Sequence, residues 1–208
     1  RLVGQGASGR NSGFAVGITH FDGPFDSGKA GEYRRINRIN QAGIDALRAQ
    51  ITRHGIECQW REDGIHYAAA DHLAIQEREN FLPYLEAMEI SHTPLDTEML
   101  HSRLGTALYR TGVHVHPGAL LHPAALVHGL ADSLPGNIVL HEQSPVLAIN
   151  PGRPLSLELP GGTVQTDKLL LATNNEAAKL GFQRYALTGS TLSGSFTRVL
   201  NDAEFASM

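Results

Sequence analysis

Apolar positions along the chain change their spacing several times, and each change marks an element. Between residues 30 and 55, Ile36, Ile39, Ile44, Leu47 and Ile51 recur at mostly three- and four-residue steps, with Arg34, Arg35, Arg38 and Arg48 between them. This predicts an amphipathic helix, stopped by Gly55 after His54. The stretch IECQWREDGIHYAAA then gives two short strand-like runs joined at Asp63-Gly64, a hairpin signal. A helix is expected after Asp71, with Pro83 breaking or restarting it. PLDTEML predicts a further short helix capped by Asp96.

The second half is patterned differently. In LHPAALVHGLADSLPGN, Pro123 suits a first helical turn, Leu126, Leu130 and Leu134 make one face, and Pro135-Gly136 end the helix. NIVLHEQSPVLAI predicts two short strands, and LSLELPGGTVQT a hairpin across Gly161-Gly162. KLLLATNN is a fully apolar run leading into a polar loop, the pattern of a parallel strand buried on both faces. Helices and strands in this order predict an α/β (or α+β) fold with an inserted second domain.

Composition narrows the class. The chain has 208 residues, 41% of them apolar and 18% charged, which fits a globular protein. A net charge of −4 argues against nucleic acid as a partner. No apolar run approaches the roughly 20 residues of a membrane span, and the start lacks the layout of a signal peptide. Cys58 is alone, so no internal disulfide forms. These features predict a cytoplasmic address. The chain begins with Arg1 and ends at Met208 in a strand-to-helix pattern, which reads as a piece of something longer.

The opening RLVGQGASGRNSGFAVG places Gly4, Gly6 and Gly9 as G-x-G-x-x-G. A dinucleotide fingerprint needs a strand before the first glycine and a helix opening at the last. Only Arg1, Leu2 and Val3 precede Gly4, and RNSGFAVG after Gly9 has poor helix character. Nor does Lys-Ser/Thr follow the glycines, so this is not a Walker loop. The small residues Ala7, Ser8 and Gly9, followed by Arg10, Asn11, Ser12 and Gly13, instead suit close backbone approach to a pyrophosphate, with Arg10 adding charge-assisted hydrogen bonds. A glycine-rich surface turn with a solvated Arg is the bland alternative.

GASGRNSG resembles the second flavin-contacting loop of FAD-dependent oxidoreductases of the D-amino-acid oxidase superfamily, with the flavour of the gamma-glutamylputrescine oxidase-like branch. HPAALVHGLADSLPGNIVLHEQSPVLAI resembles that family's helix, strand and short x-P-V strand, and KLLLATNNEAAKLGF its strand and Ala-Thr-Asn turn. The resemblance implies cofactor contacts at Ala7, Ser8, Gly9, Arg10, Asn11, Ser12 and Gly13, at the backbone of Val146, and at Ala172, Thr173 and Asn174. Asn175 and Glu176 depart from the family's small-aromatic pair. It implies an incomplete FAD-binding Rossmann-like domain at 1–56 and 112–181, and an inserted, partial substrate (cap) domain at 57–111 and 182–208. The first nucleotide-binding unit would lie upstream of Arg1.

The resemblance also implies a chemistry. An amine or amino-acid substrate passes a hydride from its amine-bearing carbon to FAD, and the resulting imine hydrolyses. Oxygen or a quinone then takes the electrons. It names no catalytic residue. Two other classes remain open: a non-catalytic, self-associating module of flavoprotein ancestry, which a homodimer would complete, and an NAD(P)-binding protein using Gly4, Gly6 and Gly9.

Among the histidines, His114 and His116 alternate on one face if VHVHP is a strand. No third ligand is evident and no HExxH or CxxC motif is present, so no metal site is expected. His122-Pro123 reads as a helix entry. Arg34, Arg35 and Arg38 read as the solvated face of a helix.

Overall fold

The computed structural model describes residues 1–19, 23–183, 185–186, 189 and 198–206. Residues 184, 187–188, 190–197 and 207–208, part of the expected substrate portion, lie outside the described residues.

The long amphipathic pattern forms α1 (Ala30–His54), closed by Gly55 at φ 61°, whose amide reaches the carbonyls of Ile51 and Thr52. Tyr33 and Ile44 are its buried residues, while Leu47 and Ile51 pack towards Ile56 and Cys58. Ile39 is 59% exposed, against the expected apolar face. It lies five residues before Ile44, roughly 140° around the axis, and Tyr33 takes the core place instead.

Beyond α1 the chain builds a three-stranded antiparallel sheet, in the order β2 (Ile65–Ala69), β4 (Thr111–Val115), β3 (His92–Leu95). The hairpin expected at Asp63-Gly64 is absent: β2 pairs with β4, in register from Ile65↔Val115 to Ala69↔Thr111. Arg61 bridges Leu120 instead, with mutual backbone bonds of 2.9 and 2.8 Å. A distant strand outcompeted the local turn because pairing with it buries Ile65, Val113 and Val115 together.

One face of the sheet meets α2 (His72–Ala87) through Phe81, Tyr84 and Leu85, forming a core that also takes in Ile18 and Tyr33. Asp71 caps α2 by accepting from the Ala74 amide at 2.9 Å. Pro83 does not end this helix, which runs through it to Ala87. The carbonyl it leaves without a partner belongs to Glu79, an exposed position where water serves. On the other face, Leu100 of α3 (Thr97–Leu104) is fully buried close to Gly112. Asp96 caps α3 as expected, accepting from Met99 at 2.8 Å.

A second unit forms from the ends of the described chain. β1 (Phe14–Ala15) pairs antiparallel with β5 (Ala119–Leu120). α4 (Pro123–Asp132) follows, with Pro123 in its first turn and His122 as the capping residue. Leu126 is buried with Ile56 and Cys58. β6 (Ala148–Asn150), β7 (Leu155–Leu159) and β8 (Gly162–Thr166) form a small antiparallel sheet. Its hairpin turns at Pro160-Gly161, and Gly162 already belongs to β8. The strand expected near residue 139 is not formed.

KLLLATNN is not a buried parallel strand. Residues 168–173 belong to no strand, and Leu170 is 89% exposed. Every pairing among the described residues is antiparallel, so no parallel neighbour flanks this run.

Candidate functional site

The opening loop is tightly folded. Ala7–Gly9 makes one 3-10 turn, with the Gly9 amide on Gly6 and the Arg10 amide on Ala7, both at 3.2 Å. Asn11 holds the turn from within: its Nδ2 donates to the carbonyls of Ala7 and Ser8 at 3.0 Å, and its Oδ1 accepts from the Gly13 amide at 2.9 Å. Two glycines are required by space. A Cβ on Gly9 would stand 2.1 Å from the Gly4 carbonyl oxygen, and one on Gly13 (φ +79°) 2.1 Å from that of Leu121. The loop packs against α4, and the Leu121 amide bonds back to Gly13 at 2.9 Å.

This folding turns Ala7, Ser8, Arg10, Asn11 and Ser12 to the surface. The amides of Asn11 and Ser12 have no acceptor among the described residues, and the Arg10 guanidinium has no ion-pair partner there. Asn11 therefore serves the loop with its side chain and leaves its own amide without an acceptor among the described residues.

The other two expected stretches approach the chain's first residues. The Gln143 amide donates to the Arg1 carbonyl at 3.2 Å, which sets the segment leading to half-buried Val146 beside the start of the loop. Ala172, Thr173 and Asn174 are exposed, with Thr173 and Asn174 opening the 3-10 segment Asn174–Leu180. Glu176 in that segment lies below the ordinary carboxylate range, held there by Lys179 and, more weakly, by the charge of Arg1.

Separate from the loop, a cleft of about 530 Å³ opens along the free edge of β2. Its wall includes Val16, Ile18, Tyr67, Ala68, Phe81 and Arg78. The segment carrying Ile18 and Thr19 is fixed by a buried polar cluster. Asn37 Oδ1 accepts from the Thr19 amide at 2.7 Å, the Thr19 hydroxyl at 2.8 Å and the Tyr84 hydroxyl at 2.9 Å.

The chain matches the model of the DAO family, described as FAD dependent oxidoreductase, over residues 1–194. It belongs to that family. Solved structures share the fold. The DAO-family chain superposes on glycine oxidase from Geobacillus kaustophilus with a TM-score of 0.67 at 16% identity, covering 85% of this chain and 48% of that one. Glycine oxidase from Bacillus cereus gives 0.61 at 15%, covering 87% and 48%. L-amino acid deaminase from Proteus myxofaciens, solved in complex with anthranilate, gives 0.57 at 14%, covering 82% and 38%. The chain therefore spans about half the length of the glycine oxidases it matches. No curated protein sequence matches it.

Mixed helices and strands in this order resemble the FAD-binding Rossmann-like fold of amino acid oxidases. The loop's donor set suits such a cofactor's diphosphate: the amides of Asn11 and Ser12, hydroxyls at Ser8 and Ser12, and the Arg10 guanidinium.

Sequence reasoning singled out His114 and His116 on one strand face but missed His66, which the DAO-family fold brings against them. His66 pairs across the strands with His114, their rings stacked at 4.3 Å, and His116 stacks on His114 at 4.9 Å. His114 Nε2 lies 2.8 Å from the Asp63 carbonyl, so that nitrogen is the donor. Burial first, then the charges of His114 and Arg103, pushes the His66 pKa below its ordinary value. Among the described residues no group of three His, Cys, Asp or Glu side chains is arranged to hold a metal ion. None of the described helices is long and apolar enough to cross a membrane. Cys58 is buried, and desolvation raises its thiol pKa.

Proposed function

We propose that this chain forms part of a flavin-dependent oxidoreductase that oxidises an amine or amino acid, giving an imine that hydrolyses to a carbonyl compound. FAD would supply the hydride acceptor and hence the redox chemistry. The chain's own residues bind and orient. Asn11 and Ser12 offer amides to the diphosphate, Arg10 adds its charge, and Ser8 and Ser12 add hydroxyls. Ala7, Gly9 and Gly13 let the backbone approach, and Val146 and Ala172 to Asn174 border the same cofactor. The β2 cleft is the substrate side, where apolar walls exclude water. Residues 1–56 and 112–181 are the cofactor-binding part and 57–111 with 182–208 the substrate part, β4 being shared with the sheet of the latter. The gamma-glutamylputrescine oxidase-like branch remains our proposal on the strength of the GASGRNSG string.

The single observation that carries this reading is the pair of amides, at exposed Asn11 and Ser12, with no acceptor among the described residues, beside an Arg10 without an ion-pair partner there. A titration of the purified chain with FAD, followed by flavin fluorescence with NAD as control, tests it. Saturable flavin binding that Arg10→Ala weakens about tenfold is expected, the worth of one charge-assisted hydrogen bond. A folded chain indifferent to FAD sinks the reading, and binding of NAD alone would favour the glycine fingerprint instead.

One set of observations favours a second reading, a self-associating module without catalysis. Val139, Leu140, Leu147 and Leu170 are 74%, 52%, 60% and 89% exposed, large apolar side chains that a second copy would cover. A monomeric mass by light scattering at high concentration removes that reading.

A further inference from the structure

The first turn of α4 is capped by an imidazole. His122 precedes Pro123, and its Nδ1 accepts from the Ala125 amide at 3.1 Å. Most caps are side-chain oxygens of Ser, Thr, Asp or Asn, which do not change charge near neutral pH. A ring nitrogen accepts only while it carries no proton, so the capping ring is neutral with its proton on Nε2. The backbone here is anchored inside, the His122 amide donating to the carbonyl of buried Cys58 at 2.7 Å. The residue itself is exposed, so its ring is open to solvent protons.

The same turn seats the opening loop. The Leu121 amide donates to the Gly13 carbonyl at 2.9 Å, and a Cβ on Gly13 would stand 2.1 Å from the Leu121 oxygen and 3.4 Å from the Pro123 ring. His122 thus lies between the two residues against which Gly13 rests. We propose that His122 is a positioning residue for the cofactor loop. Neutral, it holds the turn that seats Gly13 and keeps the Asn11 and Ser12 amides in place; protonated, it releases that turn and weakens the loop's hold on a diphosphate. This rests on the reading of the loop as the diphosphate site. Protonation removes the acceptor and also sets a positive charge at the positive end of the helix dipole, so both effects loosen the turn. The groove between α4 and the end of α1 is lined by His54, Glu57, His128 and Asp132, and Arg10 is the charge on the loop side. None of these hydrogen-bonds the His122 ring among the described residues.

The test is titration of the full purified chain with FAD, by flavin fluorescence, at about pH 7.5 and about pH 5.5, a span across which histidines change charge. NMR of the Ala125 and Gly13 amides over the same span, without flavin, runs beside it. The expected result is FAD affinity about fivefold weaker at the lower pH, the worth of one cap. The two amides should shift with a shared midpoint. His122→Asp supplies a carboxylate cap at both pH values and should bind FAD equally at both, while His122→Ala should bind weakly at both. A second histidine, His128, stands beside Gly4, and His122→Asp leaves it in place. Loss of affinity with acid that survives in His122→Asp therefore overturns the proposal. So does wild-type binding that is unchanged or tighter at the lower pH, or a Gly13 amide that does not follow Ala125. Should no flavin bind at either pH, the flavin reading falls, and the amide midpoints decide whether His122 governs the loop.

Discussion

Replacing Asn37 by leucine keeps the size of the side chain and removes its only acceptor, Oδ1. That oxygen takes hydrogen bonds from the Thr19 amide, the Thr19 hydroxyl and the Tyr84 hydroxyl, at 2.7, 2.8 and 2.9 Å. Thr19 is 7% exposed and Tyr84 fully buried, so water does not readily replace it. After the change the Thr19 amide keeps the Tyr84 oxygen at 3.1 Å, and the Thr19 hydroxyl keeps only the Tyr33 carbonyl at 3.5 Å. Lost bonds at buried groups cost about 1–3 kcal/mol where a partner goes missing and about 0.5–1.5 kcal/mol where one is merely exchanged. The expected loss is therefore about 2–4 kcal/mol in unfolding free energy.

Tyr84→Phe removes the donor from the other end and should cost about 1–2 kcal/mol. The double variant should fall short of the sum by about 1 kcal/mol, because the Asn37–Tyr84 bond is counted in both single changes. Urea unfolding followed by Trp60 fluorescence measures all four proteins, with an unchanged m-value as the check on two-state behaviour. A loss below about 0.5 kcal/mol for Asn37→Leu, or strict additivity, would refute the claim that this cluster holds the cleft wall.

Three further outcomes follow from other parts of the molecule. Gly13→Ala must place a Cβ 2.1 Å from the Leu121 oxygen at φ +79°. Left-handed strain alone costs about 1–2 kcal/mol, so a melting temperature lowered by roughly 4 °C or more is expected, and one within about 1 °C of wild type would contradict the loop's geometry. His66, depressed by burial and by the neighbouring His114 and Arg103 charges, binds its proton less readily folded than unfolded. Its contribution is full above the unfolded value of about 6.5 and is lost as pH falls towards the folded value, so His66→Gln should flatten part of the drop in urea midpoint on the acid side of about pH 6.5. Cys58 is 1% exposed with a thiol pKa raised by desolvation, so it should react with a maleimide only in denaturant, and rapid labelling of the native chain would contradict its burial.

What was legible in the sequence is what local chemistry decides. Gly55 ended α1 because a left-handed residue closes a helix wherever it stands, and Asp71 and Asp96 capped theirs for the same kind of reason. The hairpin at Asp63-Gly64 failed because partners 42 to 50 positions later offered β2 a better face, which no window of a dozen residues contains. The apolar run at 168–173 was misread since burial of a parallel strand depends on neighbours that no described segment provides. Arg78 was hidden for a related reason: QEREN reads as a solvated helical stretch, and only the sheet edge beside it makes Glu77 and Arg78 part of a cleft. His66 carried one usable signal, its alternation with Tyr67 in a strand-like run, but its stacking on His114 needed the pairing of β2 with β4.

The cofactor loop and the cleft were read from different evidence, yet the chain ties them together. Ser12 closes the outward face of the loop and Val16 opens the wall of the cleft, with β1 between them. Even fully extended, four residues reach no further than about 14 Å. β1 is also pinned at both sides: Phe14 and Ala15 pair with Leu120 and Ala119, and the segment beyond is held at Thr19 by Asn37. A dinucleotide held as proposed, with its diphosphate on Asn11 and Ser12, would need to extend only that far to present its reactive end to the cleft. This proximity supports reading loop and cleft as two halves of one site.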